Sequence, residues 1–191
     1  MRYLIISQPK AGTYLCSAIL KNLGIHQSYM HLSELAYNQY HPKKLKEGKL
    51  YPEKFRIDKK LSESVCLVPE DSFAVTHAQC TDVNKELFKD FKKIMLIKEY
   101  HDIIKSFKSW LKESGRKKEL TPAFLNGIKD LRNWCEVEGI YVLHFNDMVQ
   151  KNVKKIDGLQ IHLFGEIRQN SSEVLEQSLN EDTLTKLSRR K

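Results

Sequence analysis

Long apolar runs are missing from this chain. No stretch approaches the roughly 20 consecutive apolar residues that a membrane helix needs, so no membrane partner is expected. The opening "MRYLII" is too short for the apolar core of a secretory leader and passes straight into polar residues, which points to a cytoplasmic location. Cysteine is scarce. Cys16, Cys66, Cys80 and Cys135 include no Cys-x-x-Cys pair and none lies at zinc-finger spacing from a histidine. That argues against structural disulfides and a zinc site, and leaves buried free thiols as the default. Aromatic residues make up only 9%, are not interleaved with the cations, and most of the cations are lysine. Stacking and two-pronged arginine contacts, the usual means of reading nucleic acid, are therefore not expected. No internal repeat, low-complexity tract or linker breaks the 191 residues, which are enough for a single domain over 1–191 with a proper core.

Positive charge is present in excess. Lys and Arg number 32 against 24 Asp and Glu, a formal net charge of +8, which favours anionic partners without saying which. The first place where such an anion would sit is "SQPKAGTYL", residues 7–15, directly after the apolar start. The Walker A ending, Gly-Lys-Ser/Thr, is absent from it.

Residues 3–7 read as a short buried strand. Leu15, Ala18, Ile19 and Leu23 then share one helical face, and Gly24 is a natural stop. Residues 25–65, rich in lysine and containing proline, read as an irregular surface segment and a possible acceptor-site lid. "SFAVTH" (72–77) reads as a second strand, with Thr81 or Asp82 capping a helix through Phe91. "KIMLIK" (93–98) reads as a third strand. Ile103, Phe107, Trp110 and Leu111 fall at helical spacing after it. Thr121-Pro122 starts a helix running to about Gly139, and "IYVLHF" (140–145) reads as a fourth strand. The remainder reads as helix, an irregular stretch and a last short helix near "NEDTLTKLSRR". Strands alternating with helices predict an α/β fold, a central parallel sheet flanked by helices, with ligands bound at the carboxyl ends of the strands.

Three strand ends carry chemistry. In the first, Gly12 allows close backbone approach to an anion. The helix N-terminus behind it favours negative charge, Lys10 adds a cation and Thr13 a hydroxyl. The second strand ends in His77. The third ends in Lys98, with Ser106 eight residues on, so that both can converge on one phosphate. Each has a plain alternative: a surface lysine on an ordinary turn, a core histidine, and a solvated helix start.

Taken in order, these segments resemble the sulfotransferases that use 3′-phosphoadenosine 5′-phosphosulfate. Pro9-Lys10-Ala11-Gly12-Thr13 is similar to that family's first loop, and Val75-Thr76-His77 to its catalytic-histidine strand. The stretch from Lys98 to Phe107 resembles its Arg-Asp-Pro-Arg-Asp-Val-x-x-Ser-Phe pattern, and "HFNDM" (144–148) its Tyr/Phe-Glu-Asp-Leu strand end. Arg168-Gln169-Asn170 stands where the family has an Arg-Lys-Gly segment that touches the nucleotide.

The resemblance implies a P-loop-like sulfotransferase domain, a short one. It implies that Lys10, Ala11, Gly12, Thr13 and Tyr14 hold the 5′-phosphosulfate. Lys98 and Ser106 would hold the 3′-phosphate, and Arg168, Gln169 and Asn170 the nucleotide. His77 and Lys10 would be catalytic, the acceptor a small molecule, and no metal would be needed. Three departures stand out: Lys98 replaces the usual arginine, Tyr14 replaces a threonine or asparagine, and Val75 replaces a lysine. His31 and Glu34, in "HLSELAYN", are reserve candidates for the base, with one face of a surface helix as the plainer account. Tyr29, Tyr37, Tyr40 and Trp110 are candidates for an apolar acceptor pocket. Two rivals remain open: an ATP- and magnesium-dependent kinase, and a non-catalytic polyanion binder acting through the lysines of 43–60.

Overall fold

The computed structural model describes residues 1–45, 52–113 and 120–190. Its first unit follows directly from the apolar pattern. Strand β1 (Arg2–Ser7) is buried on both faces from Tyr3 onward, as a central parallel strand must be, and leads through a tight turn into helix α1 (Thr13–Asn22). The chain then forms β2 (His26–Leu32), β3 (Tyr37–Leu45) and β4 (Pro52–Ile57). A short helix α2 (Leu61–Ser64) and a 3₁₀ turn lead into β5 (Ser72–Thr76). Helix α3 (Asp82–Leu87), β6 (Phe91–Ile97), α4 (Tyr100–Glu113) and α5 (Pro122–Asp130) come next. After a second 3₁₀ segment come β7 (Ile140–His144), α6 (Phe145–Val149), α7 (Val153–Phe164) and α8 (Ser171–Arg190).

The strands form one seven-stranded sheet in the order β4-β3-β2-β5-β1-β6-β7. Strands β2, β5, β1, β6 and β7 run parallel, and β3 and β4 are added antiparallel beyond β2. One face packs Ile5, Phe73, Ile94 and Leu143 against α1, α7 and α8. The other packs Leu4, Ile6, Ala74 and Met95 against Leu61, Val65, Phe88 and Trp134. The chain is thus an α/β fold, with a mostly parallel sheet flanked by helices as the alternation predicts. Among the described residues no helix is long and apolar enough to cross a membrane.

The largest difference from expectation lies at 25–65. It is not an irregular lid: its described residues extend the sheet by three strands, and 46–51, which include part of the lysine cluster, lie outside the described residues. Pro42 and the lysines of β3 mislead because past Gln39 this strand pairs with β4 alone, and irregularly between Tyr40 and Leu45, a place where a residue without an N–H is tolerated. His31 consequently sits in a strand, not on a surface helix. Thr81 and Thr121 do cap their helices, accepting from Asn84 N and Phe124 N. However, α3 stops at Leu87 and α5 gives way to the 3₁₀ segment Leu131–Glu136 well before Gly139. The C-terminal helix is also far longer than expected, running over 20 residues.

Candidate active site

The connection leaving β1 runs to β2 on one side, and the connection leaving β6 runs to β7 on the other. The carboxyl ends of β1 and β6 are therefore where a sheet of this topology takes a ligand, in a crevice between them. Gln8 forms its floor. Fully buried, it donates from its backbone N–H to Leu96 O (3.2 Å), accepts at Oε1 from Lys98 N (3.2 Å) and donates from Nε2 to Ile128 O (2.9 Å). One amide side chain thereby fixes where Lys98 leaves its strand and where α5 lies against it.

Above this floor the loop turns through Gln8-Pro9-Lys10-Ala11, closed by Ala11 N donating to Gln8 O at 3.1 Å. Pro9 presets the first central position, and Lys10 takes the second at φ 67°. Glycine normally fills that position; a lysine there carries roughly 1–2 kcal/mol of backbone strain. Strain of this sort collects where a side chain is needed for function. Gly12 follows at φ 92° as the N-cap of α1. The first turn of α1 has neither a side-chain cap nor an acidic residue, an arrangement suited to an anion.

Gly12 has a further requirement that the sequence did not disclose. The Phe145 ring fills the space beside it: a Cβ there would lie 2.8 Å from Phe145 Cε2 and closer still to Cδ2. The same ring carries Lys98, whose Nζ lies 4.3 Å from its centroid. Phe145 thus joins the first loop to the end of β6. Lys10 Nζ lies 4.7 Å from the centroid of Trp110, on α4 one turn beyond Ser106. The loop lysine and the Ser106 helix therefore face one another. Two further cations sit nearby: Arg132 donates to Lys98 O at 3.0 Å, and Lys129 Nζ lies 5.0 Å from the Tyr100 ring.

On the other flank of β1, His77 directly follows β5. Its turn is held by Thr76 Oγ1, which donates to Leu32 O and accepts from Ala78 N, each at 3.1 Å. Buried Trp134 donates to Ala78 O at 2.9 Å. His77 Nδ1 lies 2.6 Å from Ser7 O. A carbonyl only accepts, so Nδ1 carries the proton and Nε2 keeps its lone pair. Ser7 Oγ lies 3.2 Å from the same nitrogen and 3.0 Å from Thr13 Oγ1, a continuous polar link from the histidine to the first turn of α1. Burial pushes the His77 pKa down, partly countered by the bond to Ser7. The ring is therefore neutral at neutral pH, the state a base requires.

Ser7 does not emerge from the sequence as a partner of the histidine, whereas His31, the reserve candidate for the base, does lie beside it. His31 meets His77 edge to face, with centroids 4.7 Å apart. A bulge in β2 turns it there: Gln27 pairs with Phe73 and His31 with Val75, leaving extra residues between, with Tyr29 at φ 59°. Ser28 pins the bulge by donating to Phe73 O at 2.7 Å. Burial, then His77 and then Lys54, push the His31 pKa down to about 3.

The structure thus brings Lys10, Ala11, Gly12, Thr13, Tyr14, Lys98, Ser106 and His77 to the carboxyl edge of the sheet. It does not bring Arg168, Gln169 and Asn170 there. Helix α7 runs back down the sheet, and His162 near its end lies 3.1 Å from Lys93 O at the start of β6. Residues 168–170 follow that end, with the backbone N–H groups of Arg168 and Gln169 bound to Gln160 Oε1 and the Arg168 guanidinium over Phe164. They sit at the amino edge, a strand length of about 20 Å from the crevice, and leave the candidate site. Glu34 is exposed in the β2–β3 turn.

No family model matches the chain, and no curated protein matches it.

Proposed function

We propose that the protein is a sulfotransferase moving a sulfuryl group from 3′-phosphoadenosine 5′-phosphosulfate to a hydroxyl or amine of a small acceptor, in the cytoplasm. The observation that carries this reading is the flanking of one helix N-terminus by two kinds of group. On one side a neutral histidine with its proton on Nδ1 is linked to Thr13 through Ser7; on the other, Lys98 lies over Phe145 beside Gly12, and Lys10 lies over Trp110, one helical turn from Ser106.

The donor supplies an activated sulfuryl group and two anionic ends. The first turn of α1 and Lys10 suit the end that leaves as a phosphate, and Lys98 with Ser106 suits the 3′-phosphate. His77 Nε2 takes the proton of the acceptor O–H as its oxygen bonds to sulfur. The bond from sulfur to the bridging oxygen breaks, and that oxygen leaves with the nucleotide, its charge met by Lys10. The products are a sulfate ester, 3′-phosphoadenosine 5′-phosphate and the proton on His77. These residues need no metal to balance the phosphate charge.

Thermal shift with 3′-phosphoadenosine 5′-phosphate, ATP with magnesium, and heparin tests the reading. Selective stabilisation by the bisphosphate supports it. Preference for ATP with magnesium favours a kinase. Salt-sensitive response to heparin alone favours a polyanion binder. Either of the last two outcomes overturns it.

A further inference from the structure

Residues directly paired across strands share a face, so the register of the antiparallel extension shows what stands beside His77. His31 pairs with Asn38 and Asn38 with Arg56, while Tyr40 pairs with Lys54. His31 also pairs with Val75, which packs on the α1 side of the sheet. His31, Asn38, Tyr40, Lys54 and Arg56 therefore lie on the α1 face, running outward from the catalytic edge. The opposite face of these strands is closed: Met30, Leu32 and Tyr37 are buried in the second core. The α1 face is open, with Asn38 and Tyr40 half-buried and Lys54 and Arg56 exposed.

From these positions we infer that this open face binds the acceptor, and that the acceptor is a small hydroxyl compound carrying a carboxylate or sulfate group. The inference rests on the sulfotransferase reading for the word acceptor, and on register and charge for its chemistry. Lys54, on β4, stands two strands out from His31 and two residues along in register, and after burial and His77 its charge is the third influence that holds the His31 pKa down. Arg56 gives its Nε to Asp58 at 2.8 Å, so part of that charge is met locally and Lys54 is the main anchor for an anion. Tyr14, 53% exposed on the first turn of α1, lies close enough to Tyr40 to raise the latter's pKa, after burial itself. The two phenols therefore stand near one another between the helix and the strand. A compound with a ring between its hydroxyl and its anionic group would place the hydroxyl at His77, the ring on Tyr14 and Tyr40, and the anion at Lys54. A cationic acceptor would meet Lys54 and Arg56 with like charge.

The test follows binding of 4-hydroxyphenylacetate, its neutral amide and tyramine by NMR of the His31 and His77 ring protons. It uses the full chain, with and without 3′-phosphoadenosine 5′-phosphate. The expected result is binding of the carboxylate about tenfold tighter than the amide, weaker still for tyramine, and loss of that preference in Lys54→Glu. Lys85→Glu, on α3 beside Asp82, keeps it. Equal affinities for the three probes, no shift of either histidine by any of them, or an unchanged preference in Lys54→Glu overturns the inference. Failure of the sulfotransferase reading shows separately, as absence of bisphosphate binding while the carboxylate preference persists.

Discussion

Replacing Gly12 with alanine perturbs the site through two effects whose sizes follow from the geometry. At φ 92° an L-residue costs roughly 1–2 kcal/mol in backbone energy. The new methyl would also stand 2.8 Å from Phe145 Cε2 and closer to Cδ2. Forcing that ring aside carries the usual overpacking cost of about 1–3 kcal/mol. Together they predict a loss of about 2–5 kcal/mol, which for a chain of this size lowers Tm by roughly 4–20 °C. Urea denaturation followed by circular dichroism measures it. Two controls separate the contributions. Gly24→Ala has a similar φ of 86° with nothing within 4 Å of the new Cβ, so it should show the backbone cost alone. In a Phe145→Ala background, Gly12→Ala should likewise cost only about 1–2 kcal/mol, leaving a coupling of about 1–3 kcal/mol between the two positions. A loss no larger than that of Gly24→Ala, or the same loss with and without the Phe145 ring, would refute the account of how this loop is packed.

Other outcomes follow from the same residues. His31 has a folded-state pKa of about 3, far below its ordinary 6.5, so between those values the unfolded chain binds more protons. Stability falls as pH drops below about 6.5, by about 2 kcal/mol at pH 5 from this group alone. His77 adds a loss of the same sign. Urea denaturation at pH 7.5 and pH 5 should show the loss, and His31→Gln should shrink it. His77→Ala should leave bisphosphate affinity within about twofold while lowering turnover roughly 100-fold or more, the scale of a lost general base; calorimetry and a sulfur-label assay read the two. Lys98→Ala should weaken bisphosphate binding about tenfold or more by calorimetry, with Lys98→Arg retaining it, since either cation serves a phosphate.

Much of the fold was legible because the parallel strands are buried on both sides and write themselves as apolar runs. β1, β5, β6 and β7 fall within a residue or two of their apolar segments, and the first-loop and strand-end residues go with them. β3 and β4 were not legible: antiparallel strands with one face open show mixed polarity, and Pro42 and the lysines of β3 mimic a loop. Residues that act through long-range pairing were also hidden. Ser7 is a plain strand end until His77 lies beside it. The place of His31, named from the sequence only as a reserve base, depends on a bulge that only the neighbouring strand defines, and Phe145 matters because Gly12, far away in sequence, leaves it room. Arg168 shows the reverse error. Its order along the chain matched a motif, but order does not say at which edge of the sheet a helix ends, and α7 carries it to the wrong one.

The crystal structure of the chain with 3′-phosphoadenosine 5′-phosphate tests the central claim most directly. The account predicts one nucleotide spanning the crevice, its 5′-phosphate on the first turn of α1 beside Lys10 and its 3′-phosphate between Lys98 and Ser106. A nucleotide bound elsewhere, or one whose two phosphates do not reach these two groups of residues together, would contradict it.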